Sequence, residues 1–135
     1  MSEYKTKNIS LIGIGGIGIS SIARYFLATR AVISGSDIQD SKLLKELKSE
    51  GIKVRIGHKK ANITKKIDLV VYNKAIPQDN PELKESKRLG IKILSYPEAI
   101  NEISNVVPGT WKPVGLNGLE IKWRYKFQVA HNSLN

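Results

Sequence analysis

Short apolar runs alternate with helix-period segments along residues 1–105, which predicts an α/β fold: a Rossmann-like doubly wound parallel sheet of about five strands. Three observations carry this. Five runs of four to seven residues, rich in Ile, Val and Leu, are bounded by Gly, Asn, Asp or Ser. Amphipathic stretches of eight to twelve residues separate most of them. A glycine-rich turn joins the first run directly to the first helical stretch. Such strand–helix–strand units have crossovers of about a dozen residues or more, so the strands run parallel with helices on both faces.

The elements follow in order. Asn8 to Ile14 reads as a buried strand ending in the glycine turn. Ile17 to Ala28 reads as a helix, with Ile19, Ile22, Ala23, Phe26 and Leu27 at helical spacing. Ala31 to Ser34 is the second strand. Asp40 or Ser41 caps a helix to about Glu50 that turns Leu43, Leu44 and Leu47 inward, and Gly51 ends it. Lys53 to Ile56 is the third strand, followed by Gly57-His58, and Asn62 to Lys66 is a weak turn or helix end. Asp68 to Tyr72 is the fourth strand, rich in β-branched residues. Asn80 caps a helix with Pro81 at its first position, and Gly90 closes it. Ile91 to Leu94 is the fifth strand, and Tyr96 to Ile103 the last helix, with Pro97 at its start. After Asn105 the texture changes. Trp111, Trp123, Pro108, Pro113 and three glycines fall there, and no clean period runs beyond Glu120 to Val129. We expect a compact domain over residues 1–105 and an atypical, irregular C-terminal tail over 106–135, either disordered or a β-hairpin.

Composition narrows the function. A chain of 135 residues suits one domain and is short for a two-substrate enzyme that needs a second lobe. Zero Cys excludes disulfides, thiolate-bound zinc, iron–sulfur clusters and a thiol nucleophile. The two histidines, His58 and His131, lie far apart in sequence, which argues against a histidine metal site. No apolar run approaches the roughly 18 residues of a membrane span, and Met1 to Lys7 lacks a signal-peptide pattern, so a cytoplasmic location is expected. The formal charge is +10, of which residues 106–135 hold four basic and one acidic side chain. The remaining lysines are dispersed among acids, as Lys45 and Lys48 are around Glu46 and Glu50. That pattern reads as a solvated surface compatible with an anionic ligand rather than a nucleic-acid face. Lys122-Trp123-Arg124-Tyr125-Lys126-Phe127 interleaves basic and aromatic residues as a stacking platform does, but the same alternation describes a half-buried strand.

The turn Gly13-Ile14-Gly15-Gly16-Ile17-Gly18 matches G-x-G-x-x-G in its proper context. A strand precedes it, a helix follows, and Asp37 stands 19 residues past Gly18 at the end of the second strand. Gly13 permits the tight turn, Gly15 lets backbone N–H groups approach a phosphate, Gly16 keeps the turn open, and Gly18 lets the helix pack on the strand. The unpaired amides and positive dipole end of the helix face an anion, and Ser20 and Ser21 offer hydroxyl donors. Asp37 suits a ligand hydroxyl, usually of a ribose, or caps the next helix. Because such sheets bind ligands at the carboxyl ends of their strands, Ser34 to Asp37, Gly57-His58 and Asn73 to Ile76 are expected around one crevice. His58 can donate to a base or phosphate there, or be an ordinary surface histidine. These residues imply a diphosphate-bearing nucleotide, and NAD, FAD and a UDP-sugar all fit.

Leu11 to Ala23 (LIGIGGIGISSIA), Ser34-Gly35-Ser36-Asp37, Ile56-Gly57-His58, and Ala75-Ile76 with Asp79-Asn80-Pro81-Glu82-Leu83 resemble, in order and spacing, the N-terminal domain of the Mur ligases of peptidoglycan synthesis. The likeness covers about residues 8 to 104 and is strongest to the alanine-adding members. It implies that the domain holds the UDP part of UDP-N-acetylmuramate. It implies that Gly13, Gly15, Gly16, Ile17 and Gly18, with Ile19 and Ser20, meet the diphosphate, that Ser36 and Asp37 lie near the uridine end, and that His58, Ala75 and Ile76 line the same crevice. The sequence departs from the family pattern at Ile19, usually Met, at Ser21, often Gly, and at Asn73-Lys74, usually Ser-Ser.

The family continues into an ATP-binding domain that opens with a G-T-H-G-K-T loop, where this chain reads Val107-Pro108-Gly109-Thr110-Trp111-Lys112-Pro113. No G-x-x-x-x-G-K-[ST] occurs, so no nest for ATP phosphates and no hydroxyl for magnesium is expected, and Pro113 removes an N–H besides. We therefore expect a truncated ligase, an intact UDP-binding domain joined to an unrelated tail such as a frameshift or gene fragment leaves. ATP and magnesium are expected only in the full-length family, with no cofactor, no catalytic residue and no ligase activity in this chain alone. The alternative is an NAD-binding Rossmann redox or sensor domain. The glycine loop and Asp37 support it, and the lack of a Lys–Tyr or His–Asp constellation opposes it.

Overall fold

The computed structural model describes residues 4–106, so the tail expected beyond Val106 lies outside the described residues. The elements are β1 (Asn8–Ile12), α1 (Ile17–Ala28), β2 (Val32–Asp37), α2 (Lys42–Ser49), β3 (Lys53–Ile56), a short 3-10 turn (Lys60–Asn62), β4 (Leu69–Tyr72), α3 (Pro81–Arg88), β5 (Lys92–Ser95) and α4 (Tyr96–Val106). All five strands pair in parallel, in the order β3-β2-β1-β4-β5. The expected α/β parallel sheet is therefore present. The chain winds outward from β1 to β3, then returns to place β4 on the other side of β1. The strand order thus reverses between β1 and β4, the kind of position at which open α/β sheets bind ligands.

Period-two alternation along the strands builds two apolar layers. Ile9, Leu11 and Ile33 face α1, α2 and α4, and pack with Ile22, Phe26, Leu44, Leu47, Ala99 and Ile103. Ile12 and Val70 face the opposite side and pack with Ile63 and Leu83 of α3. Each such fully buried side chain stabilises the fold by roughly 1.5–3 kcal/mol relative to an exposed one. The helices begin on side-chain caps. Of the two candidates, Ser41 caps α2, its Oγ accepting from the Leu44 amide at 3.1 Å, while Asp40 only receives the Ser41 amide. Asn80 Oδ1 accepts from the amides of Glu82 and Leu83 at the start of α3. At α4 the Ser95 amide donates to Glu98 Oε1 at 2.8 Å and holds that carboxyl below the usual carboxylate range. Arg24 of α1 donates in a fork to Glu50 at the end of α2, at 2.9 and 2.8 Å, tying the two helices together.

Two strand ends differ most from the sequence expectation. The first strand stops at Ile12 rather than Ile14, because Gly13 turns the chain with φ +82°. The second strand runs through Ser34-Gly35-Ser36 to Asp37 instead of ending at Ser34. Small polar residues and glycine read locally as a turn, but ladders on both sides hold them extended: Gly35 pairs with Leu11 and Val54, Ser36 with Ile12 and Arg55. Gly35 also passes directly beneath Ile14. A Cβ at Gly35 would lie 2.5 Å from Ile14 Cδ1 and 2.8 Å from the Leu11 carbonyl oxygen.

Gly35→Ala is expected to destabilise the domain by roughly 1–3 kcal/mol through overpacking against backbone, read from the midpoint of urea unfolding. Ser41→Ala is expected to cost about 1 kcal/mol, the usual loss for an N-cap, measured the same way.

Candidate functional site

The site begins where β1 ends. The amides of Gly13 and Ile14 both donate to the Ser36 carbonyl, at 2.8 and 3.0 Å, so the glycine turn is fastened to β2. The Gly16 amide closes the turn on the Gly13 carbonyl at 3.1 Å. The first intrahelical bond of α1 runs from the Ser20 amide to the Gly16 carbonyl, so the amides of Ile17, Gly18 and Ile19 have no intrahelical acceptor. Gly16 supplies no side-chain cap, and no acidic residue lies in the first turn. The start of α1 therefore presents amides and the positive end of its dipole toward the crevice.

Around this turn the structure gathers most of the expected residues. Asp37 Oδ2 accepts from the Gly15 amide at 2.7 Å, and its Oδ1 accepts from the Ile38 amide. A Cβ at Gly15 would lie 2.7 Å from Asp37 Oδ2, so the carboxylate occupies the space a side chain would fill. Asp37 is thus a neighbour of the glycine turn, not the cap of α2. Across the switch point Asn73 continues from β4. Its amide donates to the Ile12 carbonyl, and its Oδ1 accepts from the Ala75 amide at 3.0 Å. Its Nδ2 stands 2.6 Å from where a Gly16 Cβ would sit, and Ile76 packs against Gly13. Ile17, 83% exposed, Ile38 and Ile56 leave apolar surface at this same edge.

Two expectations about the turn need correction. Ser20 and Ser21 do not hold free hydroxyl donors, since both hydroxyls donate back to the Ile17 carbonyl, at 2.8 and 3.2 Å, and Ser20 is buried with Ile19. The space left by Gly18 is filled by the ring of Tyr96 from α4, 2.8 Å from the Cβ position, rather than by the preceding strand.

Ser36 and His58 form a second cluster. Ser36 points to the α3 side of the sheet, opposite to Asp37, and meets His58 Nδ1 at 2.9 Å and Glu82 Oε1 at 2.9 Å. Glu82, fully buried at the first turn of α3, also accepts from the Lys59 amide and from Asn62 Nδ2, both at 3.0 Å. Among the described residues no hydrogen bond joins His58 to the glycine turn. The two clusters connect through Ser36, whose carbonyl holds the turn and whose hydroxyl holds His58 and Glu82. Sequence reading did not single out Glu82, Asn62 or Tyr96 as site residues. Glu82 beside the helix-starting Asn80-Pro81 was the one available signal, but nothing local marks it as buried.

Among the described residues no group of three or more His, Asp or Glu is placed to hold a metal ion, and no helix is long and apolar enough to cross a membrane. The arrangement offers amide donors for an anion and a carboxylate for a hydroxyl, at the carboxyl edge of the sheet.

Comparison with known proteins agrees with the resemblance. The model of the Mur ligase family, catalytic domain, matches residues 8–107. The UDP-N-acetylmuramate–L-alanine ligase of Campylobacter jejuni is 55% identical over 94 residues, covering 70% of this chain and 22% of that protein. The corresponding ligase of Clostridium beijerinckii is 38% identical over 130 residues, covering 96% of this chain and 28% of that protein. That similarity runs on past Val106 into the segment set apart as a tail. The crystal structure of the UDP-N-acetylmuramate–alanine ligase of Thermotoga maritima has a TM-score of 0.70 at 26% identity, covering 73% of this chain and 23% of that one. The chain spans under a third of the length of these relatives. A family match across most of the described residues, on a sheet of the same fold, shows that the chain belongs to the Mur ligase family.

Proposed function

We propose that this chain binds the UDP moiety of UDP-N-acetylmuramate, in the cytoplasm, as the N-terminal domain of a UDP-N-acetylmuramate–L-alanine ligase. The observation that carries the reading is the uncapped start of α1 lying beside the Asp37 carboxylate at the strand-order reversal. The two groups ask for opposite chemistries a short distance apart. The amides of Ile17, Gly18 and Ile19 suit the diphosphate, with the Asn73 side-chain amide beside Gly16 as a further donor. The Asp37 carboxylate repels phosphate and accepts from a ribose hydroxyl. In this reading Ala75 and Ile76, next to the glycine turn, meet the ligand on the β4 side, and the Ser36–His58 pair stands on the β2–β3 side. The names of the relatives described above, UDP-N-acetylmuramate–L-alanine ligases, support this ligand.

The domain's part in such a ligase is positioning. Held by its nucleotide end, the substrate keeps its carboxylate at a defined distance from the sheet, which lowers the entropic cost of the reaction elsewhere. The residues present do not suit ATP or its magnesium: no Gly-Lys-Ser/Thr loop occurs in the sequence. No step of carboxylate activation is assigned to them.

Calorimetry on the full chain is expected to show binding of UDP-N-acetylmuramate and none of NADH. Binding of NADH alone overturns this reading in favour of a redox or sensor domain. Asp37→Asn, which keeps an acceptor for the Gly15 amide but removes the charge, is expected to weaken UDP-N-acetylmuramate binding by roughly tenfold, as losing a charge-assisted hydrogen bond of about 1.5 kcal/mol would. ATP-dependent ligation of alanine by the chain alone is not expected, and detection of the amide between alanine and the substrate carboxylate would refute the purely binding role.

A further inference from the structure

We propose that Glu82 is a positioning residue for the nucleotide site: acting through Ser36, it holds His58 as the Nδ1–H tautomer and lets the ring take a second proton when an anion reaches Nε2. This rests on the reading that a nucleoside diphosphate binds at the carboxyl edge of the sheet.

The starting point is an acid that the binding role does not use. Glu82 is 0% exposed, and among the described residues no Lys or Arg stands within ion-pair distance of it. Its oxygens receive three neutral donors, Ser36 Oγ on Oε1, and the Lys59 amide and Asn62 Nδ2 on Oε2. Those donors satisfy its lone pairs but supply no counter-charge, and an unpaired buried charge is costly. The ionisable neighbour is His58, whose Nδ1 lies 3.5 Å from Glu82 Oε2 and whose side chain is 12% exposed.

Donor counting assigns the protons. An ionised carboxylate only accepts, and a serine hydroxyl has one proton to give. With Glu82 ionised, Ser36 gives that proton to Glu82 Oε1, and its oxygen accepts at 2.9 Å from His58 Nδ1. Nδ1 therefore carries hydrogen, and Nε2, on the far edge of the ring from Glu82, is a bare lone pair in the neutral histidine. A bare lone pair repels a phosphate oxygen. The ring can donate to an anion there only after Nε2 takes a proton from solvent. The resulting imidazolium stands between two negative groups, Glu82 on one side and the ligand on the other.

The other charged side chains near the ring lie on the opposite face of the sheet or are exposed. From β2, Ser36 is neutral, and Asp37 lies on the opposite face, bonded to the Gly15 amide. From β3, Arg55 pairs with Ser36 in register and is exposed, and Lys59 and Lys60 of the following loop are exposed too. Glu82 is the acid within ion-pair distance of the ring, at 3.5 Å.

The test uses the full chain. Nitrogen-edited NMR of histidine-labelled protein reads the tautomer directly, with His131→Gln assigning the two rings. The neutral His58 ring is expected to carry its proton on Nδ1. Calorimetry with UDP-N-acetylmuramate, whose diphosphate is esterified at both ends, then follows affinity from about pH 5.5 to 8, the range in which histidine titrates. Affinity is expected to fall as pH rises, approaching about tenfold per pH unit, the limit for one linked proton. Glu82→Gln is expected to flatten that profile and weaken binding at the acidic end. Should this variant fail to fold, Ser36→Ala keeps the other Glu82 contacts and is expected to mix the tautomers. An Nε2–H tautomer in the free protein, a flat profile in the natural chain, or a natural slope in a folded Glu82→Gln variant overturns the proposal and leaves the nucleotide reading standing. No binding at any pH overturns that reading, and the proposal with it.

Discussion

At the carboxyl end of the central strand, two consecutive amides, those of Gly13 and Ile14, close on one carbonyl, that of Ser36. The rest of the edge is arranged around this contact. It sets where the glycine turn leaves the sheet, and so where α1 begins and which way its first amides face. It also draws β2 up to the turn. Ser36 and Asp37, consecutive on a strand, then point to opposite faces, one to the α3 side and one to the α1 side. The hydroxyl of Ser36 reaches His58 and Glu82, and the carboxylate of Asp37 reaches Gly15. One backbone contact thus holds two polar clusters in register across the sheet.

The contact requires a strand that can lie close under the loop. Gly35 meets that need: Ile14 and the Leu11 carbonyl occupy the space a side chain would take. Below it, the apolar layers on both faces keep the sheet from yielding. An edge built this way is preorganised, since its donors are fixed by strands and a helix rather than by a free loop. The same construction explains the spent hydroxyls of Ser20 and Ser21. They bond back to the Ile17 carbonyl within the first turns of α1, which leaves the backbone amides as the donors at the start of that helix.

Much of this was legible in the residues. The five strands, the four helices and the glycine turn follow from hydrophobic period, caps and glycine placement, all local signals. Asn80 before Pro81 and the glycines at 51 and 90 mark helix ends as expected. Where the reading failed, the cause was non-local. Ser34-Gly35-Ser36 reads as a turn until ladders from β1 and β3 hold it extended. Tyr96 fills the space beside Gly18 only because α4 crosses back over α1. Glu82 looks like an ordinary first-turn acid of a helix, and only the docking of α3 against β2 and the His58 loop buries it.

The amino-acid sequence by itself determined the α/β class, the phosphate-type turn and the family resemblance, because each depends on spacing along the chain. The tertiary structure alone decided which polar groups meet: Asp37 with the Gly15 amide, Asn73 over Gly16, and Ser36 with His58 and Glu82. Those partners are separated by 22 to 57 residues. Their meeting depends on strand order and on the face to which each side chain points, and no local pattern carries that information.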